Sequence, residues 1–436
     1  MNDARVILWG RDIGAVSWLP DRELAVFQYR PEFVPSGIEI APLMMPLREA
    51  PYSFPKLARE TFHGLPGLLA DSLPDKYGNR MINTWLAAQG RTPESFNPVE
   101  RLCYVGKRGM GALEFEPREG ATDHTSLKIE IEELVLLANR VLDERTQLGG
   151  LLNGDGDDAD SQAFNEILRV GTSAGGARAK AVLAWNPGTG EFRSGQVDLA
   201  EGFEHWLVKF DGVSGNRDKE LADPQGYGLI EYAYHLMAVD AGMEMTECRL
   251  HKEGGRSHFM TRRFDRTPEG KKLHMQSLGA MAHFDYNQAG AYSYEQAIQV
   301  MRQLDLPLPQ IEQQYLRTVF NLVARNQDDH VKNIAFLMDK SGRWSLAPAF
   351  DVIYAWQPDG AWTGQHQMSV NGKRDRFTLD DLLQLADVAN IKRIRANRLI
   401  RQVVEVVRNW PEYAEKAGVS ETAATAIGRA HRLITD

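Results

Sequence analysis

The chain has 436 residues with 59 acidic and 50 basic side chains, so its net charge of -9 gives no overall attraction to nucleic acid, although a local basic patch is compatible with it. A hydrophobic content of 43% and a charged content of 25% are those of an ordinary globular protein long enough to bury sizeable cores. Cys103 and Cys248 are too few for a disulfide framework and suit a reducing cytosol, and no run of about 18 apolar residues or signal-like start marks a membrane or secreted protein.

RVILWG (5–10) and GAVSWL (14–19) read as a hairpin, with LAVFQY (24–29) as a third strand. Residues 64–90 read as helical segments broken by Pro66, Pro74 and Gly78. RLCYVGKRGMGALEF (101–115) reads as a glycine-rich connection into another strand. Its GKRGMGA is assigned to a tight turn rather than a phosphate loop, because no helix start follows and the GxGxxG form is absent. Ile131, Leu134, Val135, Ala138, Val141 and Leu142 define one face of a helix. The acidic stretch 149–161 follows. Asn153, Asp155 and Asp157 alternate there as in a calcium loop, but Asp158 and Phe164 stand where such a loop needs glycine and glutamate, which leaves a solvated linker and a domain junction.

RVGTSAGGARAKAVLAW (169–185) leads small residues into an apolar strand, serving either as a loop that lets main-chain N–H groups approach phosphates or as a hairpin edge. In EHWLVKFDG (204–212), Lys209 sits inside an apolar strand and must reach water or meet an anion, since an unpaired buried ammonium is costly. Leu229, Ile230, Ala233, Tyr234, Met237 and Ala241 mark a second amphipathic helix, on which Glu231 is placed either to pair with Lys209 or to stay solvated. TECRLHK (246–252) and SHFMTRRFDR (257–266) read as an antiparallel pair turning at Gly254 and Gly255.

A helix through Ile311, Tyr315, Leu316, Val319, Phe320 and Val323 then delivers RNQDDHVKN. Asp328 and Asn333 have the D-x-x-x-x-N spacing of a phosphotransferase loop, in which the carboxylate faces the acceptor hydroxyl and the amide oxygen reaches a magnesium ion. IAFLMD, KSG and RWSLAP read as strand, turn and strand, returning the chain to Asp351, a second acidic residue for the same metal. Beyond it, 377–388, 391–407 and 421–433 read as helices. Lys392, Arg393, Arg395, Arg398 and Arg401 give the second a basic face, either solvated or touching nucleic acid.

Taken in order, TSAGGARAK, HWLVKF, RRFDR, NQDDHVKN and LAPAFD resemble the HipA-like serine/threonine kinases of bacterial toxin-antitoxin systems, and LLADSLPDKYGNR (68–80) resembles their amino-terminal part. The resemblance covers nearly the whole chain. It implies an α+β, atypical protein-kinase-like fold with a mixed N-terminal subdomain over 1–150, the nucleotide-binding part of the kinase core over 151–265, and a mainly helical C-terminal lobe over 266–436. It also implies Asp328 as catalytic base, Asn333 and Asp351 as Mg2+ ligands, and Lys209 as the phosphate-binding lysine. Gly175, Gly176, Ala177, Arg178, Ala179 and Lys180 would form the ATP phosphate loop, Arg262, Arg263 and Phe264 would flank the adenine, and His330 and Lys332 would lie beside the phosphates. Ser173 matches a serine that such kinases autophosphorylate to silence themselves.

This chain departs from the best-known pattern at Gln327, where a glycine can precede the aspartate, at Arg262, which replaces an acidic hinge residue, and at Ala179, which replaces a glutamate. The resemblance leads to a cytoplasmic ATP- and Mg2+-dependent kinase acting as a toxin, with a helix-turn-helix antitoxin of HipB type as partner. It would contact DNA only through that complex, have no membrane partner, and act on a protein substrate, with the translation machinery as a candidate class. The alternatives are a small-molecule or lipid kinase and a non-catalytic nucleotide-binding corepressor.

Overall fold

In the computed structural model, which describes residues 1–117, 128–143, 178–195, 201–213 and 226–434, the first hairpin forms where residue alternation places it. Strands β1 (Asp3–Leu8), β2 (Arg11–Leu19) and β3 (Leu24–Tyr29) pair antiparallel, burying Val6, Leu8, Val16 and Phe27 on one face. Helices α1 (Arg59–Phe62), α2 (Gly67–Ala70), α3 (Lys76–Ala88) and α4 (Pro98–Val105) follow, and β4 (Leu113–Glu116) completes the sheet in the order β3-β2-β1-β4. The start of α4 departs from the glycine-rich connection expected over 101–115. Asn97 caps it in a reciprocal box with Glu100, and Pro98 sets its first turn, so the helix runs to the glycines at 106 onward.

The second sheet is antiparallel and carries Lys180 and Lys209. Strands β5 (Lys128–Ile129), β6 (Lys180–Trp185), β7 (Phe192–Ser194), β8 (Glu204–Lys209), β9 (Cys248–Glu253) and β10 (Arg256–Arg262) take the order β5-β7-β6-β8-β10-β9. Helix α5 (Ile131–Asp143) buries Ile131, Leu134, Val135 and Ala138 against Ala181, Leu183, Phe192 and Trp206. Residues 128–143 therefore pack with this sheet, upstream of the division expected at residue 150, because β5 pairs with β7. The acidic stretch 149–161, Ser173, Gly175, Gly176 and Ala177 lie outside the described residues.

Helix α6 (Tyr227–Asp240) lies close against β10 because Gly228 has no side chain; a Cβ there would meet Ser257 O at 2.4 Å. The remaining elements are β11 (His274–Ser277), α7 (Leu278–Ala282), β12 (Tyr292–Ser293), α8 (Tyr294–Gln303), α9 (Leu308–Val323), β13 (Ala335–Met338), β14 (Trp344–Leu346), β15 (Met368–Ser369), α10 (Leu379–Val388), α11 (Arg393–Arg408), α12 (Trp410–Ala417) and α13 (Glu421–Ala430). The third sheet runs β11-β13-β14, and β12 pairs β15 in parallel. One apolar core extends from the first sheet through α6, α7, α8 and α9 to α12, so the N-terminal subdomain and the helical lobe are packed as one body. None of the described helices is long and apolar enough to cross a membrane.

Burial also leaves a pH signature. Desolvation lowers the pKa of His258, His274 and His283 to about 4, so these rings are neutral in the folded chain near pH 6. Between pH 6.5 and 4 the unfolded chain binds protons that the folded chain does not, so stability must fall as pH falls. Calorimetry between pH 7.5 and pH 5 is expected to show the melting temperature dropping by roughly 5 to 10 °C.

Candidate active site

The end of β8 places Lys209, 8% exposed, beneath the sheet. Its ammonium is hydrogen-bonded both to Glu231 Oε1 on α6 and to Asp351 Oδ1. Burial alone would lower its pKa, but the carboxylates of Asp351 and Glu231 overcome that and hold it above the ordinary lysine value. Of the two placements the sequence left for Glu231, the buried ion pair is the one formed. Lys180 stands directly opposite Lys209 across the β6–β8 ladder and is 2% exposed. Arg178 reaches Glu231 Oε2 at 3.6 Å and lies 3.3 Å over the Tyr227 ring, while Ala179 is buried and its carbonyl accepts from Phe210 N at 3.0 Å.

Helix α9 ends at Val323, and Arg325 takes φ +59° to turn the chain into the loop. The adjacent aspartates have opposite fates. Asp329 is 3% exposed and fully engaged: Tyr294 Oη at 2.7 Å and His366 Nδ1 at 2.8 Å meet Oδ2, and Gln367 N donates to Oδ1 at 2.8 Å. Asp328 is half-buried, and the indole Nε1 of Trp362 donates to its Oδ1 at 2.6 Å. Asn333 Nδ2 donates to the Asp328 carbonyl at 2.8 Å, which leaves the amide oxygen as the group available to a hard cation. Immediately after, β13 and β14 pair in the register Phe336↔Leu346, which brings Asn333 and Asp351 to the same end of the hairpin. Asp351 adopts φ +52°, an uncommon conformation for a side-chain-bearing residue, and its carboxylate remains 34% exposed.

His330 lies between Tyr286 at 5.7 Å and Trp362 at 6.5 Å, with Nδ1 buried and without a hydrogen-bond partner among the described residues. Lys332 is drawn away to the N-terminal subdomain, where Asp75 Oδ1 accepts from its Nζ at 2.6 Å; burial would lower its pKa, and Asp75 and Asp71 raise it instead. Asp75 heads α3 yet caps none of its N–H groups, since its carboxylate is turned to Lys332.

Of the three residues expected at the adenine, only Phe264 packs on an apolar cluster, 5.4 Å from Phe350 and beside Leu273, Met275, Ala335, Leu337 and Ala347. Arg262 instead pairs with Glu204 at 3.0 Å and Glu247 at 3.7 Å. Arg263 forks onto Asp265 at 2.9 and 2.6 Å and reaches Gly109 O at 3.2 Å, so its guanidinium is structural. The glycine-rich turn at 106–112 is what it grips, with Gly111 N donating to Asp265 Oδ2 at 2.6 Å. Trp362 carried no sequence signal, lying in an aperiodic polar loop, and Asp75, although inside the LLADSLPDKYGNR stretch, gave no sign of its pairing with a residue far along the chain. The donor set fits a nucleotide with magnesium: an orphaned ring nitrogen, an oriented amide oxygen, a partly exposed carboxylate and the clamped Lys209 lie on connected elements.

Comparison with known proteins gives the same architecture. The HipA N-terminal domain model matches residues 4–116 and the HipA-like C-terminal domain model matches residues 172–410. HipA of Shewanella oneidensis MR-1, solved in a toxin-antitoxin complex with HipB and operator DNA, superposes with a TM-score of 0.66 at 16% identity, covering 98% of this chain and 94% of that one. A Haemophilus influenzae protein carrying the name "Putative kinase" is 32% identical over 161 residues, which are 33% of this chain and 47% of that protein. The aligned part is thus about half of that relative's length. With one family model spanning more than half of its residues and a second covering its amino-terminal part, the chain belongs to the HipA-like family.

Proposed function

We propose that the chain is an ATP- and Mg2+-dependent serine/threonine protein kinase that acts as the toxin of a cytoplasmic toxin-antitoxin system. The observation that carries this reading is the ammonium of Lys209 held jointly by Glu231 of a helix and by Asp351 at the hairpin end. A strand lysine, a helix glutamate and a metal-binding aspartate that must all be in place are the parts protein kinases use to hold the phosphates. Magnesium bound by Asn333 and Asp351 would neutralise charge on the phosphoryl group being transferred.

The chain's own residues do the rest. Asp328 accepts the proton of the acceptor hydroxyl, with one carboxylate oxygen held by Trp362 so that the other is presented to the acceptor. Lys209 and Lys180 meet the phosphates, His330 offers its buried ring nitrogen to them, and Phe264 packs on the base. Phosphorylation of Ser173, which precedes Arg178 and Lys180 in the chain, would add roughly -1.5 to -2 charges and so oppose ATP binding. The HipB-bound relative supports an antitoxin of that type as partner and DNA contact through it. Transfer of labelled phosphate from ATP tests the reading. Wild type is expected to label a protein acceptor or itself, with phosphopeptide mapping placing self-labelling on Ser173, and Lys209→Met is expected to cut the rate about 100-fold. Equal labelling by both proteins would refute the assignment of Lys209.

A further inference from the structure

Both neighbours of Asp328 are held from outside the loop, and the two holds converge on one side chain. Arg432, 13% exposed, lies just past α13 and far from the loop in sequence. Its main-chain N donates to Val323 O at 2.8 Å and its Nη1 to Leu322 O at 3.2 Å, both in the last turn of α9. Nη1 also meets His366 Nε2 at 3.3 Å, and His366 Nδ1 in turn bonds Asp329 Oδ2 at 2.8 Å. Nη2 donates to Gln327 Oε1 at 3.4 Å and forms an ion pair with Asp375, while the guanidinium stacks 5.3 Å from the Phe377 ring.

Gln327 is fully buried, and each of its polar groups is engaged. Its amide nitrogen donates to Thr363 O at 3.0 Å, its main-chain N to Ala355 O at 3.0 Å, and Arg325 Nη1 gives its Oε1 a second bond at 3.0 Å. Arg325 Nε is itself anchored on Ala430 O at 2.9 Å. We infer that Arg432 is a positioning residue for the catalytic loop, acting through Gln327 on one side of Asp328 and through the His366–Asp329 pair on the other. The inference rests on the kinase reading above. It also accounts for glutamine at position 327, because a glycine there would remove the one acceptor that ties the guanidinium to the residue preceding Asp328.

The planar fork matters. An arginine can span His366, Gln327 and Asp375 at once, whereas a lysine ammonium concentrates its charge at one point and can keep the Asp375 contact without the rest. Because none of these residues lies among the Lys209, Glu231 and Asp351 contacts, nucleotide binding and phosphoryl transfer should separate. The test uses the full chain with labelled ATP, taking the chain itself and a generic basic protein as acceptors, and titrates a non-hydrolysable ATP analogue by calorimetry.

Arg432→Ala is expected to lower kcat about 10- to 100-fold, with KM for ATP and analogue affinity within about twofold of wild type. Arg432→Lys is expected to recover part of the loss, and exposed Arg429→Ala to change nothing. Gln327→Met, which keeps the volume and removes the acceptor, should show the same kcat-selective loss, and the double variant should fall no further than the worse single one. That variant serves where Arg432→Ala does not fold. An active wild type with unchanged kcat in Arg432→Ala and Gln327→Met overturns this inference alone, as does a loss in kcat that tracks a loss of analogue binding. A wild type that transfers no phosphate overturns the kinase reading and this inference with it.

Discussion

Asp328→Asn is expected to lower the turnover for phosphate transfer about 1,000-fold while leaving affinity for a non-hydrolysable nucleotide within about twofold. The substitution keeps the size of the side chain and an oxygen for the Trp362 indole, so it removes charge and basicity rather than shape. The neighbouring carboxylate cannot take over. Asp329 has Oδ2 engaged by Tyr294 and His366 and Oδ1 by Gln367 N, and it is buried beneath the loop. Single-turnover transfer of labelled phosphate, read beside calorimetric binding, distinguishes loss of the base from loss of the site. Retention of more than about a tenth of the wild-type rate would exclude Asp328 as the base, since general-base catalysis contributes about 100- to 10,000-fold.

Asp265→Asn should cause the largest loss of stability of any single change in the ion-pair framework, about 3 to 5 kcal/mol. Asp265 is fully buried and accepts from Arg263 at 2.9 and 2.6 Å, from Arg266 at 2.8 Å and from Gly111 N at 2.6 Å. Burial raises its pKa, but the two guanidinium groups and the main-chain donor overcome this and hold the carboxyl well below the ordinary range. Asparagine would leave two guanidinium groups, 2% and 6% exposed, facing each other with no charge between them. The contact also ties the glycine turn of the N-terminal subdomain to the chain beside Phe264. Denaturant unfolding should therefore show the stability loss, and nucleotide titration should show weaker binding in the fraction that remains folded. A change in the unfolding midpoint worth less than about 1 kcal/mol would mean that the cluster relaxes around the amide.

The difference between these two aspartates also shows what a linear sequence can reveal. The placement of Asp328 beside Asn333, and of both at the base of the hairpin that leads to Asp351, was legible because it is local: the amide five residues on and the carboxylate beyond one short hairpin are set by spacing and strand alternation. The strands around Lys209 were legible for the same reason, since apolar alternation fixes which residues are buried. The engagement of Arg263, which the resemblance put beside the adenine, was not legible, because its carbonyl acceptor comes from Gly109 in another subdomain. Trp362 and Asp75 were missed because each acts across a long sequence separation from a segment without periodicity. Helix α8 was also passed over, although its signal was present: Ser293 and Gln296 form the reciprocal cap that announces a helix start.

The hairpin that presents Asn333 and Asp351 has one more property. Turns between paired strands are ordinarily where a protein absorbs insertions, because their tips stand in solvent. Here Lys340, Ser341 and Arg343 are exposed, but the returning side of the turn is seated: a Cβ on Gly342 would stand 3.7 Å from Ile38 Cα, and the Trp344 indole at the start of β14 donates to Glu39 O at 3.1 Å. A residue added on the returning side, between Gly342 and Trp344, would press on the N-terminal subdomain or slide β14 along β13. A slide of one residue turns every side chain of that strand to the opposite face and moves Asp351 away from Asn333. The length of this turn is thus a gauge for the spacing of Asn333 and Asp351.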